Sequence, residues 1–158
     1  MIREIRIYTE TTWKGPARRD GVAMWMVETV VDNGQPETRK GFIHVENGTE
    51  AQGTLMALIN AFFVLKKICP HRRSVRVNTQ CEHILHTVQN QWYLRWQEAG
   101  WRNAKGKPVK NSGLWEMLME YMEPYVYTFG SGQNQYDDDM QTELQNEYEQ
   151  WKERKKHG

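Results

Sequence analysis

The chain has 158 residues, of which 39% are hydrophobic and 26% charged, with a formal net charge of +1. That length suits one ordinary domain with a proper core, residues 1–158. The near-neutral balance excludes a strong overall field toward nucleic acid or a membrane surface, so any such preference has to be local.

Ile2 to Tyr8 alternates apolar and polar residues, the pattern of a half-buried strand. After the breaker-rich Lys14-Gly15-Pro16, Val22 to Val31 is dense in apolar and β-branched residues and reads as a second strand. Asp32-Asn33-Gly34 is a hairpin signal, and a third strand follows near Thr38 to Val45, completing an antiparallel meander. From Glu50 to Lys67 the period becomes helical, with Leu55, Leu58, Ile59, Phe62, Phe63 and Leu65 on a broad apolar face and Pro70 as the stop. A fourth strand at Val75 to Thr79 leads into one helix from about Glu82 to Trp96. Then come a basic loop, a helix from Leu114 to Met122, a strand at Tyr125 to Phe129 and the glycine loop Gly130-Ser131-Gly132. Asp138 to Lys156 is a last helix, acidic at its start and basic at its end, as its dipole favours. This order implies an α/β fold: a five-stranded mixed sheet, three antiparallel strands and then two more, flanked by helices.

No apolar run is expected to span a bilayer, and the N-terminus lacks the shape of a signal peptide. Two cysteines, Cys69 and Cys81, give no disulfide framework. Together these imply a cytoplasmic protein without a membrane partner. Each cysteine lies near a histidine, in Cys69-Pro70-His71 and Cys81-Glu82-His83, but the strand between the pairs holds them about 23 Å apart, too far for one zinc ion. Cys81 beside His83 and His86 is a weak nucleophile candidate.

The most distinctive stretch is Gly100 to Trp115, which sets Arg102, Lys105, Lys107 and Lys110 in a loop rich in Gly, Pro and Asn. Such a loop is either a phosphate contact or a solvated surface turn. Lys14 offers a second phosphate contact. Trp92, Trp96 and Trp115 read as packing residues, and Trp13, just after the first strand, as a candidate for contact with a sugar or base.

Gly100 to Trp115 resembles the basic protrusion of bacterial ribonuclease H, whose pattern is Gly-Trp, a small basic loop, Lys-Pro-Val-Lys-Asn and Leu-Trp. Trp92, Trp96 and Trp101 repeat the family's tryptophan spacing. Ile7 to Glu10, Thr54 to Ala57, Asn78 to Cys81 and Asn134 to Met140 are similar to its remaining motifs. The resemblance implies the ribonuclease H-like fold and hydrolysis of RNA in RNA/DNA hybrids, with carboxylates holding two Mg2+ or Mn2+ ions about the scissile phosphate. It maps the retained catalytic acids and metal ligands to Glu10 and Asp138. The lost acids fall at Thr54 and Gln80, or at Cys81 with a one-residue offset, and Ser131 stands nearest the family's mobile histidine. Glu50 and Glu82 are displaced acids that could rebuild the site, while Asp137 and Asp139 read as a capping cluster. Nucleic-acid contacts are assigned to Lys14, Trp101, Arg102, Lys105, Lys107 and Lys110. The expected function is binding of RNA/DNA hybrid or double-stranded nucleic acid with lost or reduced cleavage. The alternatives are an active divergent ribonuclease H and a role with a protein partner.

Overall fold

The computed structural model describes residues 2–69 and 72–158. The helix stop at Pro70 and the Cys69-Pro70-His71 pair therefore fall partly outside the described residues. In chain order the elements are β1 (Ile2–Thr11), β2 (Arg19–Val31), β3 (Glu37–Gly48), α1 (Glu50–Ile68), β4 (Ser74–Thr79), α2 (Glu82–Gln89), α3 (Trp92–Glu98), α4 (Ser112–Met122), β5 (Val126–Gly130) and α5 (Asp137–His157). The sheet order is β3-β2-β1-β4-β5. The first three strands are antiparallel neighbours, as the meander reading requires, and β4 runs parallel to both β1 and β5.

The near-continuous apolar run of β2 has a simple cause: the strand is covered on both faces. Ala23, Trp25 and Val27 join the large core beneath α1, whereas Val22, Met24 and Met26 join a smaller cluster with Met140 and Leu144 of α5. At Asn33 the hairpin between β2 and β3 adopts φ 60°, the left-handed conformation that Asn tolerates.

By length and composition α1 is apolar enough to cross a bilayer, which corrects the expectation that no run reaches that length. Leu55, Leu58, Phe62 and Leu65 are instead fully buried core residues, whereas Phe63, expected on the same face, is 41% exposed. Thr49 caps the helix by accepting from the Gln52 backbone N–H at 3.2 Å.

Two other expectations are corrected. The single helix from Glu82 to Trp96 is broken by Gln91, whose φ of 58° ends α2 and starts α3 on a new axis. That break rotates Trp92 to the surface, 37% exposed, and gives the core position to Tyr93, which stacks on Trp115 with centroids 5.9 Å apart. The second concerns Trp13, which is buried and unavailable to stack on a base. Its indole N–H donates to the Arg19 carbonyl at 2.9 Å, and the ring fills the space left by two glycines. A Cβ at Gly53 would lie 2.4 Å from the Trp13 ring. Gly53→Ala is accordingly expected to destabilise the fold by about 1–3 kcal/mol, read as a lower denaturant midpoint at unchanged m-value.

Candidate nucleic-acid site

Parallel pairing of β1 with β4 aligns Thr9 with Thr79, so the next residues, Glu10 in β1 and Gln80 just past β4, come side by side. The first turns of α1 contribute Glu50 and Thr54, and α5 closes the space with Gln141. Together with Lys14 these residues line a cavity of about 440 Å³. Glu10, Thr54 and Gln80, identified separately in the sequence, thus converge.

The interior is short of charge. Glu10 is 9% exposed, and its Oε2 accepts from Gln141 Nε2 at 2.8 Å. Burial is the main reason that its pKa is pushed up to about 7, with the Asp137 carboxylate adding to the shift and the Gln141 hydrogen bond opposing it. Thr54 is fully buried, and its Oγ1 has no hydrogen-bond partner among the described residues. Gln80 is turned toward the glycine loop, where Nε2 donates to Asn78 Oδ1 at 3.1 Å and to the Gly132 carbonyl at 3.0 Å. Cys81 is buried beside Glu50 and Thr54, and burial pushes its thiol up to about 11, so at neutral pH it is protonated and a poor nucleophile. Burial likewise raises the pKa of Glu50, opposed by its contact with Cys81.

Asp138 is exposed on the first turn of α5, whereas Asp137 beside it accepts from the Asn134 backbone N–H at 2.9 Å and from Asn134 Nδ2 at 2.7 Å. Asp137 therefore closes the turn that leads into α5 and is not its cap, which corrects the capping role expected of this cluster: the N-cap is Tyr136, with no side-chain cap hydrogen bond. Gln141, the residue that touches Glu10, went unnoticed in the sequence. Its one signal there was its place a helical turn beyond Asp137.

A second unforeseen group is Glu28, a fully buried carboxylate of β2. It accepts from Tyr8 at 3.2 Å, Arg6 at 3.4 Å, Gln135 at 3.3 Å and the Tyr136 hydroxyl. Its donors come from β1 and from the segment entering α5, so it ties that segment to the sheet.

The basic stretch is a self-supporting turn. Trp101 takes φ 62°, and Val109 N–H donates back to the Trp101 carbonyl at 2.9 Å. Asn103 Oδ1 accepts from the backbone N–H groups of Lys105 at 2.9 Å and Lys107 at 3.0 Å. Bonding within the turn leaves Arg102, Lys105, Lys107 and Lys110 exposed, while Trp101 packs partly against the core. Lys110 reaches back to a groove shared with Glu50, Cys81 and His83, next to the Glu10 cavity.

The family pattern described as RNase H matches residues 3–130. The chain belongs to the ribonuclease H family. Ribonuclease H of Pseudomonas paraeruginosa is 31% identical over 121 residues, covering 74% of this chain and 72% of that protein. Among solved structures, LC9-RNase H1, a type 1 RNase H with the type 2 active-site motif, superposes with a TM-score of 0.68 at 19% identity. That likeness covers 83% of this chain and 63% of the other, less than two thirds of it. A foamy viral protease-reverse transcriptase in complex with RNA/DNA hybrid gives 0.59 at 16% identity, covering 80% of this chain and 17% of that one. At these identities the two structures establish the ribonuclease H fold.

As a ribonuclease H this chain carries an unusual donor set. Magnesium and manganese prefer several oxygen ligands, chiefly carboxylates. Here the cavity offers neutral side chains at Thr54, Gln80 and Gln141, and the last of these occupies an oxygen of Glu10. Among the described residues no group of three or more His, Cys, Asp or Glu side chains is placed to hold a metal ion. The residues present do not fit the two-metal centre implied by the ribonuclease H resemblance.

Proposed function

We propose that this ribonuclease H-like domain, residues 1–158, binds RNA/DNA hybrid or a related duplex and cleaves it weakly or not at all. The observation that carries this reading is the contrast between two regions. Four cations stay exposed on the Gly100–Trp115 turn, while the cavity where cleavage would occur keeps only two acids, Glu10 and Glu50, beside the neutral Thr54, Gln80 and Gln141. Backbone phosphates are met by Lys and Arg through charge, which needs no catalytic centre. Lys14, at the cavity mouth, extends the cationic surface toward it, and Trp101 supports the turn from below.

Purified protein is expected to retard a labelled RNA/DNA hybrid in a gel, with an affinity that falls linearly in log–log form as salt rises. No retardation of any duplex at low salt would remove the reading and leave a protein partner in its place.

A second reading is favoured by Glu50, which shares the cavity with Glu10. In it, Glu10 and Glu50, with Asp138 brought in by movement of α5, hold Mg2+ or Mn2+ and sustain cleavage. It predicts hybrid hydrolysis that requires the metal and drops at least about 100-fold in Glu10→Gln. Metal-dependent hydrolysis with that sensitivity would replace the first reading with the second.

A further inference from the structure

A groove of about 870 Å³ between α3 and α4 plays no part in the proposed function. Its floor is formed by Leu94, Trp101, Met117 and Tyr127, and Met117, an adaptable apolar side chain, is 46% exposed. Glu116, Glu120 and Glu123 stand along the rim, all exposed, and among the described residues none of them pairs with a cation. Glu116 and Glu120 are one helical turn apart, where like charges repel. Glu120 and Glu123 lie at the C-terminal end of α4, the negative end of its dipole, and no basic residue stands in that last turn. The isolated chain thus carries an unfavourable row of charge beside an uncovered apolar floor, and cations from outside would relieve it.

We infer that this groove receives the Gly100–Trp115 turn of a second copy of the chain, so that two copies pair about a two-fold axis with each turn across the other's groove. Charge and shape select this occupant. The turn presents Arg102, Lys105 and Lys107 with the exposed Ala104 and Pro108 beside them, offering cations to the rim and small apolar groups to the floor. Within its own chain the turn is closed on itself, with Arg102 Nη1 donating to the Gly106 carbonyl at 2.9 Å and Asn103 holding the main chain at positions 105 and 107. Because it is already ordered, little conformational entropy is lost on pairing. Trp101 lines the groove and also opens the turn, so the two complementary patches are contiguous. A two-fold interface between contiguous complementary patches makes both contacts at once. Pairing covers Lys105 and Lys107, and on any one copy it excludes a duplex from them.

The test is analytical ultracentrifugation of the whole chain without nucleic acid, over a range of protein concentrations, at about 0.05 M and about 0.5 M salt. Wild type is expected to pass from monomer to dimer as concentration rises at the lower salt, and to dimerise about tenfold more weakly at the higher. Glu116→Lys with Glu120→Lys, and separately Lys105→Glu with Lys107→Glu, should each stay monomeric where wild type is dimeric, because each sets like charges against one another. Mixed in equal amounts the two variants should dimerise again, since every turn then meets a groove of opposite sign. All four side chains are exposed, so thermal melting of both variants should match wild type. A wild type that stays monomeric at low salt, oligomers larger than a dimer, or variants that dimerise alone or fail to recombine overturn this inference. Duplex binding is measured apart from it and stands or falls by itself.

Discussion

Neutralising Lys105, Lys107 and Lys110 together, each to Gln, is expected to weaken hybrid binding on the order of 100-fold near 0.1 M salt. Each lysine that meets a phosphate releases about one counterion, so the slope of log affinity against log salt should become shallower by close to three units in all. The substitutions should spare the fold. All three side chains are exposed, and the turn is held by backbone atoms and by Asn103, whose Oδ1 accepts from the main chain at positions 105 and 107. An unchanged slope in a variant with the wild-type circular dichroism spectrum would show that the turn is ordinary solvated surface.

Stability should also depend on pH in a direction set by Glu10. Its pKa rises from 4.5 to about 7 in the folded state, so folding favours the protonated acid. The resulting contribution is fully present below about pH 4.5 and is lost as pH rises through about 7. A shift of this size corresponds to roughly 3 kcal/mol of unfolding free energy between the two limits. Glu50 shifts in the same direction, with burial as the chief cause. Glu10→Gln removes the larger titration while keeping a polar group beside Gln141, so it should overtake wild type in stability above neutral pH. Urea unfolding of both proteins at several pH values decides the matter. Parallel curves from pH 5 to 9 would mean that Glu10 is solvated enough to ionise freely.

Much of the fold was legible because its signals are local. The alternation of Ile2 to Tyr8, the Asp32-Asn33-Gly34 turn and the helical period after Glu50 each specify an element within a few residues, and the structure contains all three. The break at Gln91 was hidden because glutamine is no helix breaker. Its left-handed conformation comes from tertiary demand, which places Tyr93 between Trp115 and Tyr127, whose hydroxyl lies 2.6 Å from that of Tyr93. Trp13 was misread for a similar reason. Glycines at positions 21 and 53 create its pocket from two distant segments, and no short window contains all three residues.

Legibility in the site divides along the same line. Glu10, Thr54 and Gln80 could be found because each belongs to a recognisable motif, and strand pairing together with the start of α1 brings them together. Gln141 and Glu28 carry no such motif. They matter through partners 131 residues away, for Gln141 and Glu10, and 108 away, for Glu28 and Tyr136.

The attachment of α5 gives the molecule a point of separation. The family match ends at residue 130, before this helix begins, and the helix is buried through Met140 and Leu144, far fewer residues than α1 buries. Elsewhere it is held at the surface by pairs such as Lys40–Glu143 and His44–Glu147, each at 2.6 Å. A unit with so small an apolar footprint opens before the rest of the domain. Its departure would take Gln141 from Glu10 and Tyr136 from Glu28, hydrating both carboxylates at once. Raising the pH from about 4.5 to about 7 therefore pulls on the latch through Glu10, and over that range α5 amides should exchange with deuterium increasingly ahead of those in β1 and α1, after correction for intrinsic exchange.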